Sequence, residues 1–170
     1  VLTAGRYVTD GTRELWLLRP GQPMAPLGSM TANDSLMAFE TRVIPSPDGT
    51  VAALCMTGVE GSSVSFVAPP GVQTPSELVR PGDGFLGWGD DAWVLYVARP
   101  QGVGGKQRTA VLRLARGAQP VTLAEVDGSY LARAPESGQW AVLAPEDESI
   151  NFEPPHDGWA VNLKTGERSR

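Results

Sequence analysis

Short apolar runs alternate along the chain with turns that are rich in Gly, Pro, Asp and Ser. In the clearest case, Ser46-Pro47-Asp48-Gly49 is followed, after Thr50, by the apolar residues 51–56. Pro presets the first dihedral of a turn, Asp bonds nearby backbone, and Gly accepts a positive φ. The run is too short for a confident helix and suits an interior strand. The stretch 44–56 therefore predicts a turn that leads into a buried strand.

Weaker copies of this pattern recur at intervals of 42 to 47 residues, and no 3.6-residue period is sustained. Aligned on the turn, the copies place Gly5, Gly49, Asp91 and Gly138 in equivalent positions. This predicts an all-β chain of about four four-stranded blades, a β-propeller or part of a larger one. The predicted units are residues 1–33, 34–80, 81–127 and 128–170. Their predicted outer strands are residues 25–28, 77–80 and 121–126, with none in the last unit, and the first inner strand is at most residues 1–3.

The segment Ser46-Pro47-Asp48-Gly49-Thr50-Val51-Ala52-Ala53 resembles the turn-and-strand repeat of WD40-like proteins of the TolB type. Residues 87–93 and 134–140 are similar but degenerate. The resemblance implies a β-propeller, transfers no catalytic residues, and favours a periplasmic or extracytoplasmic location. The chain departs from that family in holding about four units where six or more are usual.

The composition narrows the range of partners. The net charge is −5 and the pI is about 4.9, which argues against nucleic-acid binding because that needs a basic surface. No apolar run approaches the roughly 18 residues of a membrane span. Cys55 is the single cysteine, so no internal disulfide forms. These features predict neither nucleic-acid binding nor membrane insertion.

Two glycine-rich stretches match nucleotide-binding motifs only in part. Residues 82–87 fit G-x-G-x-x-G by letter, but no helix is predicted after them and Asp83 would repel phosphates. Residues 102–107 lack the Gly and the Ser/Thr that a P-loop needs. His156 is the only histidine, and no G-x-S-x-G elbow accompanies it. The sequence thus predicts no catalytic residues, no cofactor and no metal site.

The longest predicted hairpin connection, residues 145–157, is the first candidate for binding, because long loops on rigid scaffolds concentrate binding residues. A tolerated insertion is the alternative. Trp88 ends a predicted inner strand and has two interpretations, packing between blades or a place near the mouth of the propeller channel, whereas Trp140 is expected to pack between blades. Lys106 and Arg108 belong to a second loop on the same face. The candidate binding residues are Glu146, Asp147, Glu148, Asn151, Phe152, Glu153, His156, Asp157, Trp88, Lys106 and Arg108.

The sequence favours a non-enzymatic scaffold or protein-binding module that uses the loops of one propeller face. The alternative is a propeller domain associated with an enzyme, such as a peptidase, whose catalytic domain lies outside this chain. A protein partner is expected in the first case. The ragged first and last units also predict a homodimer or additional blades, because bare blade faces invite association.

Overall fold

The chain folds into β-strands that are linked by tight turns. The computed structural model describes residues 2–7, 12–18, 21, 23–31, 38–58, 61–103, 106–128, 130–133, 139–145 and 158–170. Within these ranges there are β-strands and one single-turn 3-10 helix, and there is no α-helix. The predicted all-β fold is therefore confirmed.

The strands form four antiparallel sheets, each built from strands that are consecutive in the chain. The first sheet contains β1 (Leu2–Tyr7), β2 (Thr12–Leu18) and β3 (Ala25–Thr31), and the second contains β4 (Ala38–Pro45), β5 (Ala52–Gly58) and β6 (Gly61–Val67). The third contains β7 (Gly84–Trp88), β8 (Val94–Val103), β9 (Lys106–Ala115) and β10 (Val121–Asp127). The fourth contains β11 (Tyr130–Arg133), β12 (Trp140–Pro145), β13 (Trp159–Asn162) and β14 (Arg168–Ser169). No closed ring of sheets is present in the described residues.

Three predicted strand assignments are wrong. Residues 77–80 form no outer strand, because the 3-10 helix Pro75–Leu78 takes their place; Pro75 has a fixed φ and no N–H to give to a ladder. The second sheet therefore has three strands. The last sheet does have an outer strand, since β14 pairs with β13. In the first sheet, residues 2–7 form one continuous strand, so the chain makes no turn at Gly5 and the strand extends beyond the predicted residues 1–3.

The predicted turn at Ser46–Thr50 is held by its own side chains. Ser46 Oγ donates to Asp48 Oδ1 (2.6 Å) and accepts from the Val51 N–H (3.1 Å), while the Thr50 N–H also donates to Asp48 Oδ1 (3.1 Å). Burial acts to raise the pKa of Asp48, but the hydrogen bonds from Ser46 and Thr50 outweigh it and hold that pKa below its ordinary value. Gly49 has a φ of 68°, as the turn requires.

The same frame recurs before β8, in a register one residue away from the predicted one. The Ser46 N–H donates to the Val51 carbonyl (2.8 Å), and the Gly89 N–H donates to the Val94 carbonyl (2.7 Å). Asp91 accepts from the N–H two residues onward, as Asp48 does. Asp91 is therefore equivalent to Asp48 and not to Gly49. The alignment of the repeats within the chain was one residue off because glycine and aspartate are both common in turns.

The four sheets stack face to face in chain order, and each interface has its own apolar cluster. Leu15 of the first sheet packs with Ala52 of the second. Ala53 of the second sheet packs with Leu95 and Val97 of the third. The interface between the third and fourth sheets is formed by Leu86, Ala98, Val111, Ala124, Val126, Ala141, Leu143, Val161 and Leu163. The apolar strand faces thus bury one another, as sheet-on-sheet packing requires.

Within one chain, Trp140 does not pack between two described sheets, contrary to the prediction. Its side chain is 38% exposed, whereas Ala141 and Leu143 on the same strand are fully buried against the third sheet. Successive strand residues point to opposite faces, so Trp140 and Val142 occupy the outer face of the fourth sheet. No described sheet covers that face.

Candidate recognition cleft

A cleft of about 840 Å³ runs along β10, between the third and fourth sheets. One wall is β10 itself, over residues 122–127. The other wall belongs mainly to the fourth sheet and carries two aromatic rings and two arginines. Those side chains are Tyr130, Trp159, Arg168 and Arg170. The cleft therefore joins a sheet edge to a cationic, aromatic wall.

The edge of β10 that faces the cleft carries backbone groups that β9 does not use. β10 is the outermost strand of the third sheet. Arg168 Nη1 donates a hydrogen bond to the Glu125 carbonyl oxygen, so that carbonyl points away from β9 and into the cleft. In an antiparallel ladder a residue uses both its N–H and its C=O toward one neighbour. The Glu125 N–H therefore faces the cleft too, and so does the N–H of Asp127, two residues on.

The fourth-sheet wall is positioned by the turn between β13 and β14. Asn162 Oδ1 accepts hydrogen bonds from the N–H groups of Lys164 (2.9 Å) and Thr165 (3.1 Å). The Gly166 N–H donates to the Asn162 carbonyl (2.8 Å), and Gly166 has a φ of 75°. A Cβ at Gly166 would overlap the Leu123 carbonyl of β10. Glycine therefore allows this turn to sit directly on the β10 backbone.

Tyr130 is held at one end of the cleft by the connection between β10 and β11. The buried hydroxyl of Thr109 donates to the Gly128 carbonyl (3.1 Å) and accepts from the Tyr130 N–H (3.3 Å). The Gly128 N–H in turn donates to the Gln107 carbonyl (2.9 Å). The Tyr130 ring lies against Gly128, where a side chain would collide with it. These contacts fix the position of the ring relative to β10.

The cleft has three arginines and two carboxylates, in a chain whose net charge is −5. Arg108 pairs with both acids, at 2.8 Å to Asp127 and 3.7 Å to Glu125. The guanidinium carbons of Arg168 and Arg170 lie 5.8 and 5.6 Å from the centroid of the Trp159 ring, within cation–π range. Positive charge is thereby concentrated on the wall opposite β10.

The structure places three of the sequence-predicted binding residues. Arg108 lines the cleft. Trp88 packs against Phe66 and Phe85 between the second and third sheets, and its Nε1 donates to the Ile44 carbonyl (3.0 Å). Lys106 begins β9, where its backbone pairs with Val103 at the hairpin end. The remaining predicted residues lie outside the described residues: Glu146, Asp147, Glu148, Asn151, Phe152, Glu153, His156 and Asp157.

The stretch 82–87 forms a turn and the start of β7, and no helix follows it. Asp83 is fully buried and receives two hydrogen bonds from Arg99, both of 2.7 Å. These hydrogen bonds raise the pKa of the Arg99 guanidinium above its ordinary value, against the opposing effect of burial. The glycine-rich stretch 82–87 therefore forms a turn and strand start whose Asp83 belongs to a structural ion pair with Arg99. In the described part of the chain, no three His, Cys, Asp or Glu side chains are grouped so as to hold a metal ion.

Sequence reasoning did not identify the β10 edge, Trp159, Arg168 or Arg170. One signal was available: Arg168 and Arg170 are two residues apart, and that spacing places both on one face of a strand. The two arginines lie next to β10 only because the third and fourth sheets pack together, and no local sequence pattern predicts that packing.

Comparisons with known proteins add no relative: the chain matches no protein-family model, no curated protein and no solved structure. Among the residues that the structure describes, no helix has the length and apolarity needed to cross a membrane.

Proposed function

We propose that this protein is a non-enzymatic protein-recognition module built from β-propeller blades. Four antiparallel sheets of consecutive strands, stacked face to face in chain order, support the propeller assignment. The repeated turn frame at Ser46 and Gly89 supports a repeat origin for at least two of the blades. The binding surface in this proposal is the β10 cleft, which contains Arg108 from the predicted recognition face.

The ligand is an extended peptide that adds to β10 as a further strand. The observation that carries this proposal is the edge of β10 that pairs with no further described strand, where the Glu125 carbonyl accepts a hydrogen bond from Arg168. The main-chain carbonyls of an added strand would accept hydrogen bonds from the Glu125 and Asp127 N–H groups. A main-chain N–H of that strand would donate to the Glu125 carbonyl in place of Arg168. Main-chain hydrogen bonds of this kind provide affinity, while alternate side chains provide specificity.

The charges of the cleft favour a peptide with acidic side chains. Arg108 pairs with both carboxylates of the β10 side, and the three arginines and two acids of the cleft together leave one net positive charge. Arg168, once displaced from the Glu125 carbonyl, can pair with a ligand carboxylate beside the Trp159 ring. Charge-assisted hydrogen bonds from arginine to carboxylate are stronger than neutral ones. An acidic strand is therefore preferred over a basic one.

The test is calorimetric titration with two capped hexapeptides of alternating sequence, (Glu-Val)3 and (Lys-Val)3. We expect the acidic peptide to bind, the basic one not to bind, and added salt to weaken binding because surface charges are screened. Failure of the acidic peptide to bind, or equal binding of both peptides, would contradict the proposal.

Two variants of one residue separate the backbone from the side chain. Glu125→Ala and Glu125→Pro both remove the carboxylate, but only proline removes the N–H that faces the cleft. Proline is tolerated on an edge strand when its nitrogen points away from the ladder. We expect Glu125→Ala to bind the acidic peptide and Glu125→Pro to lose binding while keeping its far-UV spectrum. Binding by the proline variant would exclude strand addition at this edge.

A further inference from the structure

The outer face of the fourth sheet is equivalent to sheet faces that are covered elsewhere in the molecule. The Arg116 N–H donates to the Trp93 carbonyl, and the Leu163 N–H donates to the Gln139 carbonyl, at matching ends of the third and fourth sheets. The neighbouring strand pairs have the same register, because Val94 lies opposite Ala115 in the third sheet and Trp140 lies opposite Asn162 in the fourth. Trp140 is therefore equivalent to Val94, and Val142 to Tyr96.

The turn frame shared by Ser46 and Gly89 extends this equivalence to the second sheet, where the matching residues are Val51 and Ala53. Ala53 is 0% exposed because the third sheet covers it, and Tyr96 packs against the cluster between the third and fourth sheets. Val142 occupies the same position in the fourth sheet and is 37% exposed. The face that carries it continues an interface that the molecule forms in each preceding sheet.

The first sheet supplies the complementary face. Leu15 of β2 packs against the second sheet, so Glu14, Trp16 and Leu18 point to the opposite side, because strand side chains alternate. No described cluster covers that side. Every established interface joins one sheet to the sheet that follows it in the chain. The fourth sheet therefore needs a sheet that behaves as its successor, and the first sheet needs one that behaves as its predecessor.

We propose that the outer face of the fourth sheet, centred on Trp140 and Val142, docks the first sheet of a second copy of this chain. The contact is head-to-tail, and such heterologous contacts form closed rings when the rotation allows. Two copies joined by two identical contacts form a ring of eight sheets, within the size range of β-propellers. This surface is independent of the peptide cleft, since Val142 lies on the opposite face of the fourth sheet from Val161 and Trp159.

The experiment is sedimentation velocity over a wide concentration range, on the wild-type chain and on Val142→Lys. Trp140→Lys serves as a second variant of the same face. Val72→Lys is the matched control, because Val72 is similarly exposed but lies in the segment between β6 and the 3-10 helix. We expect wild type and the control to be dimeric. Both variants of the face should be monomers with an unchanged far-UV spectrum, and they should still bind the acidic peptide.

A wild-type chain that stays monomeric over the whole range would overturn the proposal. Dimers that persist in both variants of the face would overturn it as well, because the contact would then lie elsewhere. If neither the wild type nor any variant binds the acidic peptide, while the wild type and the control are dimers, the proposed function is rejected and the proposed interface is retained.

Discussion

Gly166→Ala tests whether the turn between β13 and β14 is seated on the β10 backbone as the structure describes. Gly166 has a φ of 75°, and a Cβ at this position would overlap the Leu123 carbonyl. Gly117 makes a matched control, since its φ is 70° and a Cβ there would meet no atom within 4 Å. Both substitutions place an L-residue in the left-handed region, and only one of them adds a steric clash.

The expected losses follow from these two terms. The left-handed conformation costs a non-glycine residue about 1–2 kcal/mol, and both variants carry this cost. Overpacking at a well-packed contact adds roughly 1–3 kcal/mol, and the backbone of β10 cannot move aside as a flexible side chain can. We therefore expect Gly166→Ala to lower the free energy of unfolding by about 2–5 kcal/mol, and Gly117→Ala by about 1–2 kcal/mol.

Urea unfolding, followed by tryptophan fluorescence and by far-UV circular dichroism, measures both losses. If the two probes coincide, the difference between the variants isolates the clash with β10. The turn must then shift away from β10, so Gly166→Ala should also weaken binding of the acidic peptide. Equal losses in the two variants would show that Gly166 does not contact β10, and would refute the description of the cleft wall.

Three further predictions concern stability. Asp83→Ala should lower the free energy of unfolding by about 3–5 kcal/mol in urea, because it leaves the Arg99 charge buried without its partner; a loss below about 1 kcal/mol would contradict this pairing. Because the folded-state pKa of Asp48 lies below its ordinary 3.8, its stabilisation is complete above about pH 3.8 and is lost as the pH falls further. Ser46→Ala should raise that pKa in an NMR titration, and an unchanged value would exclude the hydrogen bond. Trp140→Ala should lower the free energy of unfolding by less than Leu143→Ala does, for which we expect a loss of about 2–5 kcal/mol. Both losses are measured by urea unfolding at concentrations where the chain is monomeric. A larger loss for Trp140→Ala would show that Trp140 is part of the core.

Features that depend on local chemistry could be predicted from the sequence. The turn at Ser46–Thr50 forms as expected because its hydrogen bonds join residues no more than five apart. The short apolar runs after such turns became the buried strands β5 and β8. The outer strand at residues 77–80 was predicted by analogy with the other units, and Pro75 set a 3-10 helix there instead.

Features that depend on packing between sheets could not be predicted from the sequence. The exposure of Trp140 follows from which face has a covering sheet, and strand alternation alone does not say so. The cleft brings Glu125 of β10 next to Arg168 of β14, two residues that belong to different sheets. Their separate environments in the sequence, an alternating strand and a short segment with two arginines, point to no common site.

Hydrogen exchange of the β10 amides, measured by NMR with and without the acidic hexapeptide, tests the recognition cleft most directly. In the free protein we expect the Glu125 and Asp127 amides to exchange quickly, because they face the cleft, and the Val126 amide to be protected by β9. With the peptide bound, the Glu125 and Asp127 amides should become protected while the Val126 amide changes little. Fast exchange of both amides in the saturated complex would contradict strand addition to β10.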